Sequence, residues 1–240
     1  MCLIIHGPGA LIRSTLLDTP LLLEEIFKQN GDGLGIMYQS SRGPRVHKWL
    51  PKDAAHARRL VQSFPQDDRE LAAHWRWRTH GDINKENCHP YAVEGSGFMM
   101  HNGVLSTGNR ADESKSDTWH YCRNFLDGGV MEKMAHEEHF LKLITNHIGH
   151  GNKFVMMTSD GRMSIAGRHR GIVIKGLWFS NTHAWYPETL DPTWVEPDRN
   201  PILDGSAGHG LRDYTFDNAA NRPAWAEVAR TPQIANDNRH

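Results

Sequence analysis

The chain has 240 residues, 38% of them hydrophobic and 23% charged, a balance that excludes a disordered or fibrous polypeptide and leaves room for one large domain or two small ones. Lys plus Arg is 27 against 28 for Asp plus Glu, so a formal charge of −1 supplies no general field for a polyanion, and no nucleic-acid partner is expected. No apolar run reaches the roughly 18–20 residues of a membrane span and the start lacks the layout of a secretory signal, so the expected location is the cytoplasm, away from the membrane.

Cys2 to Ile5 is a short, partly β-branched apolar run, read as a strand that ends at His6-Gly7-Pro8-Gly9. Pro20 to Gln29 carries Leu22, Leu23 and Ile26 with Glu24 and Glu25 between them, as an amphipathic helix would. Asn30-Gly31-Asp32-Gly33 ends it, and Leu34 to Tyr38 reads as the next strand. A short helix is expected over 52–62. Strands are expected over Glu70 to Arg78 and Phe98 to Leu105, with residues 80–97 looping between them.

Ser116-Asp117 followed by Trp119, Cys122, Phe125 and Leu126 at spacings of three and four reads as a capped helix, and a longer helix follows at about 131–148. Phe154 to Thr158, an Asp160-Gly161 turn, Met163 to Ala166 and Gly171 to Ile174 then read as a hairpin-like series of strands. Two groups of strands with two helical stretches suit a layered α+β domain better than a βαβ repeat.

Six prolines lie between Met1 and Pro90, none between Tyr91 and Tyr186, and six in the last 54 residues. The reading is one domain over residues 2–200 and a Pro/Gly/Asn-containing C-terminal tail over 201–240, with an extended character from Pro187 onward. Trp194 and Trp225 are candidates for pinning that tail to the body.

The three cysteines, at 2, 88 and 122, are too few and too scattered for a disulfide framework or a four-thiolate zinc site. Cys2 differs from the others because removal of the initiator methionine would make it the first residue. Four further stretches carry chemistry: His74-Trp75-Arg76-Trp77-Arg78-Thr79-His80-Gly81, then Asn87-Cys88-His89-Pro90, His101-Asn102-Gly103 and Ser116-Asp117-Thr118. Singly, each has a plain reading. Arg76 could be a surface charge, Asn102-Gly103 a tight turn, and Asp117 an anion at a helix N-terminus.

Together and in this order, with Cys2, they resemble the class II glutamine amidotransferases, whose glutaminase domain uses an N-terminal nucleophile. The motifs match at His74, Arg76, Trp77, Thr79, His80, Gly81, His89, Pro90, His101, Asn102, Gly103, Ser116, Asp117 and Thr118, and they cover roughly residues 2–126. The resemblance implies an Ntn-hydrolase fold, a four-layer αββα sandwich of two antiparallel sheets between helical layers. It also implies hydrolysis of L-glutamine to glutamate and ammonia through a thioester on Cys2, with Asn102 and Gly103 as the oxyanion hole. Arg76, Trp77, Thr79, His80 and Asp117 would bind substrate. No cofactor and no metal is implied.

The residue types suit that chemistry. A thiol is a strong nucleophile but is only a few per cent thiolate at neutral pH, and a free α-amine on Cys2, with a reference pKa of roughly 8, could take its proton. An amide side chain and a backbone N–H at Asn102-Gly103 could meet the charge that attack places on the carbonyl oxygen. Arg76 offers a fork for a carboxylate and Asp117 a counter-charge for an ammonium. His89 is read as structural, Cys88 and Cys122 as buried small hydrophobes, and His136-Glu137-Glu138-His139 as a solvated helix face, its histidines being spaced by three and not four.

Leu3 and Arg78 depart from the glucosamine-6-phosphate synthase type, which has a glycine and a small residue there. The length leaves no room for an appended synthase domain, so a separate acceptor protein in trans is expected. The competing expectations are an Ntn amidohydrolase acting on another amide and a non-catalytic glutamine-sensing subunit.

Overall fold

The computed structural model describes residues 1–106 and 112–194; the expected tail over 201–240, Trp225 included, lies outside the described residues. The chain runs β1 (Leu3–Pro8), α1 (Gly9–Asp18), α2 (Pro20–Asn30), β2 (Leu34–Ser40), β3 (Gly43–Trp49), α3 (Ala54–Gln62) and β4 (Glu70–Trp75). It continues through β5 (Tyr91–Val93), β6 (Gly97–Asn102), α4 (Asp117–Tyr121), a π-helical turn (Cys122–Leu126), α5 (Val130–Met134), α6 (Glu138–His147), β7 (Lys153–Thr158), β8 (Met163–Ala166), β9 (Ile172–Ile174) and β10 (Leu177–Phe179).

Two antiparallel sheets result, one of six strands in the order β3-β2-β4-β1-β10-β9 and one of four in the order β5-β6-β7-β8. Side chains alternate across a strand, so one strand can feed two cores. Leu3 and Ile5 of β1 pack with Ile12 and Leu16 of α1, Leu22 and Ile26 of α2, and Val61 of α3. Ile4, between them, points the other way and packs with Met100, Val155 and Met157 of the second sheet. The outer face of that sheet, through Met99, Phe154 and Met156, covers Tyr121, Met131, Phe140 and Ile144 of α4 to α6. The architecture is therefore the α+β four-layer sandwich, helices, sheet, sheet, helices. Because both sheets are covered on both faces, strands such as β7 (Lys-Phe-Val-Met-Met-Thr) are buried throughout and show no polar alternation. Among the described residues no helix is long and apolar enough to cross a membrane.

Several boundaries differ from the sequence expectation. β1 continues to Pro8, held by β4 through Gly7 opposite Leu71 and Pro8 opposite Glu70. Helix α1 was not anticipated, although Ile12 and Leu16 bury on one face at a spacing of four. The strands expected over Glu70 to Arg78 and Phe98 to Leu105 end at Trp75 and Asn102, and β5 forms inside the expected loop. The single helix expected at 131–148 is two, divided at Ala135 to Glu137. Of the expected series only β7 and β8 pair with each other; β9 forms a hairpin with β10 in the other sheet, through the turn at Lys175-Gly176 (φ +48° and +82°). Trp194, expected to tie down the chain after Pro187, does pack against the helix-side core of the larger sheet.

Candidate active site

The site forms where the start of β1, the end of β4 and the end of β6 meet. Leu3 pairs with Trp75, which places Cys2 beside the residues that follow β4. The Cys2 thiol donates to the Trp77 carbonyl and accepts from the Trp77 backbone N–H, each at 3.4 Å. The backbone on either side of the thiol is also held: Asn30 Nδ2 donates to the Met1 carbonyl at 2.7 Å and Asn181 Nδ2 to the Cys2 carbonyl at 2.8 Å. Burial pushes the thiol pKa up, and the nearby N-terminal ammonium, the Trp77 N–H and Arg76 pull against that rise without cancelling it.

A small pocket opens on this thiol. It is lined by Cys2, Arg76, Trp77, Thr79, His80, Gly103 and Asp117, all expected from the sequence, and also by His89, His101, Ser116 and Thr118. Its volume is about 20 Å³, the size of a water molecule. Asn102 is not on the wall. It sits behind Gly103, fully buried, with Nδ2 donating to Ser180 Oγ at 2.6 Å.

Arg76 and Asp117 supply opposite charges to the same wall. Arg76 is 3% exposed, its guanidinium Nη1 donating to the Asp82 carbonyl at 2.9 Å and Nη2 to the His80 carbonyl at 3.0 Å. Those bonds shape the loop after β4 and use two of the five N–H groups, which leaves the fork able to meet an anion. Asp117 is the first residue of α4, whose N-cap is Ser116, the Ser116 Oγ accepting from Trp119 N–H at 3.2 Å. The Asp117 carboxylate accepts from Leu105 N–H at 2.7 Å and from Thr118 N–H at 2.8 Å. Two oxygens offer about four lone-pair positions, so capacity for a cation remains.

Gly103 follows β6 at φ +138°, in the region that favours glycine. A Cβ there would strike the Asn152 side chain, whose Oδ1 lies in the space the methyl would need. Gly35 allows an equally close approach on the other side, since a Cβ there would collide with the His89 carbonyl.

His89 and His101, which line the pocket, join His74 in a buried network whose hydrogen bonds the sequence does not announce. Asn152 Nδ2 donates to the Ile148 carbonyl at 2.5 Å, which turns its Oδ1 toward His101 Nε2 at 2.8 Å. His101 Nε2 therefore carries the proton and Nδ1 accepts, at 2.8 Å, from the Thr118 hydroxyl. The Thr118 oxygen in turn accepts from His89 Nε2 at 3.2 Å. His74 Nε2 donates to the His101 carbonyl at 3.0 Å, tying the two sheets together, and its ring lies 4.0 Å from that of His89. Burial is the main cause holding all three histidines neutral: His74 is pushed down to about 3, and His89 and His101 are lowered as well.

Two minor expectations change. His89 is structural in its hydrogen bonding, yet it also lines the pocket. His136 is not on a solvated face: it bonds Thr158 Oγ1 at 3.0 Å and Ser164 Oγ at 2.6 Å, while Glu137, Glu138 and His139 are exposed. Cys88 and Cys122 are buried as expected. Among the described residues no group of three or more His, Cys, Asp or Glu side chains is placed to hold a metal ion. Asn30, Asn152, Ser180 and Asn181 escape a reading of the sequence because each acts across 29 residues or more or in a motif-free stretch, and nothing local marks them.

No family model matches the chain. It is similar to glutamine-fructose-6-phosphate aminotransferases (isomerizing): 23% identical over 184 residues to that of Halalkalibacterium halodurans, covering 76% of this chain and 27% of the relative. The Staphylococcus epidermidis protein is 24% identical over 190 residues, covering 79% of this chain and 28% of its own length. That of Agrobacterium fabrum is 31% identical over 112 residues, covering 42% and 18%. The chain thus spans less than a third of the length of these curated relatives. Among solved structures, glutamine phosphoribosylpyrophosphate amidotransferase from B. subtilis, complexed with ADP and GMP, aligns with 75% of this chain and 41% of its own at 15% identity and a TM-score of 0.45.

Proposed function

We propose that this chain is a class II glutamine amidotransferase-type glutaminase, hydrolysing L-glutamine to glutamate and ammonia through a thioester on Cys2. The observation that carries the reading is the convergence of Cys2, Arg76 and Asp117 on one pocket: a nucleophile with a cation and an anion beside it. Free glutamine has an α-carboxylate and an α-ammonium, and a site that takes the free amino acid must answer both. Another amide without that head group would leave a buried Arg76 and Asp117 unmatched. The relatives carry glutamine in their names, which fits.

In the proposed reaction Met1 is removed and the freed Cys2 α-amine, with a reference pKa of roughly 8, takes the thiol proton, directly or through a water. The thiolate adds to the carboxamide carbon. In this reading Gly103 N–H meets the resulting oxyanion, joined by Asn102 Nδ2 once the Asn102 amide turns it away from Ser180, and collapse of the tetrahedral species expels ammonia with the proton returned by the amine. Water, deprotonated by the same amine, then cleaves the thioester to glutamate and restores the thiol. Arg76 and Asp117 hold the ends of the substrate, with Trp77, Thr79 and His80 closing over it. No step calls for a cofactor. The ammonia acceptor belongs, in this reading, to a separate partner protein in the cytoplasm.

The test is glutamate release from the purified protein beside Cys2→Ala, with the N-terminus read by mass spectrometry. Release by the wild type and none by Cys2→Ala is the expected result. A wild type that starts at Cys2 and still leaves glutamine intact, with and without proteins that co-purify, would overturn the reading.

A further inference from the structure

Ser180 follows β10 and is fully buried. Its Oγ accepts from the Ile4 backbone N–H at 2.8 Å and, as the amide of Asn102 stands, from Asn102 Nδ2 at 2.6 Å. A backbone N–H can only donate, so one lone pair of Ser180 is committed to Ile4 whatever else happens. With Nδ2 on the other side, two groups go unmet at once. The Ser180 hydroxyl proton finds no acceptor among the described residues, and Asn102 Oδ1 is buried with no hydrogen-bond partner.

A half-turn of the Asn102 amide meets both and leaves Nδ2 as the one unmet group in their place. Oδ1 then accepts from the Ser180 hydroxyl, and Nδ2 takes the position where the oxygen had no partner. We infer that Ser180 is a positioning residue: its hydroxyl holds Asn102 Oδ1, so that both Nδ2 protons stay free for the oxyanion. This rests on the glutaminase reading for its consequence, but not for its geometry. The neighbouring Asn181 holds the Cys2 carbonyl, so one dipeptide sets both the nucleophile's backbone and the donor aimed at its intermediate.

Two measurements test it. A crystal structure of the full chain at better than about 1.2 Å, where hydrogens become visible, is expected to place Oδ1 against Ser180 Oγ; Nδ2 in that place would overturn the inference. In glutaminase assays Ser180→Ala is expected to lower kcat about 10- to 100-fold with KM unchanged, short of the full loss of a donor, and Ser180→Thr, which keeps the hydroxyl, to recover most of it. Wild-type kcat in Ser180→Ala, or a loss carried by KM, would overturn it too. If the wild type releases no glutamate, the glutaminase reading fails by itself, and the crystal structure still decides the orientation.

Discussion

Cys2 and Trp77 hold one another through two contacts: the thiol donates to the Trp77 carbonyl and accepts from its N–H, both at 3.4 Å across 75 residues of sequence. The position of Cys2 is thereby tied to the loop that carries Arg76 and Thr79. In the chain that retains Met1 the thiol pKa is raised by burial. Alkylation of Cys2 by iodoacetamide is accordingly expected to be slow at neutral pH and still rising near pH 9 or above, since the thiolate is the reacting form. Mass spectrometry of the labelled protein reads the rate, and a plateau below roughly pH 8 would contradict the expectation. Cys88 and Cys122, at 1% and 2% exposure, should label later still.

Arg76→Lys keeps the charge but loses the fork and its bonds to the His80 and Asp82 carbonyls. Hydrogen bonds to charged groups are worth about 1.5–3 kcal/mol, so KM for glutamine should rise about 10- to 100-fold. Steady-state kinetics on variant protein with an unchanged circular dichroism spectrum is the check. An unchanged KM would remove Arg76 from the substrate site.

Gly103→Ala places a methyl group at φ +138° against the Asn152 side chain. The backbone conformation alone costs about 1–3 kcal/mol, and displacement of Asn152 would loosen His101, which it holds. A lower denaturation midpoint in urea, together with lost turnover, is expected. Full stability in the variant would mean that the backbone at this position is free to relax.

The buried histidines make stability depend on pH. Unfolded, each titrates near 6.5; folded, His74 is held down to about 3, and His89 and His101 are lowered too. The unfolded chain therefore binds more protons below pH 6.5, and stability contributed by the neutral rings is complete above 6.5 and drains away as pH falls below it, for His74 down to about 3. Each ring adds a slope of up to about 1.4 kcal/mol per pH unit in that window. His74→Gln keeps a donor for the His101 carbonyl and cannot titrate. Thermal melts from pH 7 to pH 4 should show a shallower fall for the variant; parallel curves would mean that burial of the His74 ring is not what makes stability fall with pH.

The candidates for chemistry were legible in the sequence: Cys2, Arg76, Gly103 and Asp117 stand in short motifs because a thiol, a fork, a backbone donor and a counter-charge are local properties of a residue and its neighbours. The sequence also marked the buried runs that became the strands, since a run such as Phe154 to Thr158 is apolar whatever covers it. The break of the helix near Ala135 and the placing of β9 in the larger sheet were settled by packing, because periodicity says that a face is apolar without saying what it meets. The same holds for the supports of the site. Asn30, Asn152, Ser180 and Asn181 are ordinary polar residues in the sequence, and only the fold, bringing β1, β4, β6 and the segment after β10 to one place, turns their hydrogen bonds toward Cys2, His101 and Asn102. A buried polar group must find its partner wherever the chain delivers one, and that delivery is a property of the tertiary structure.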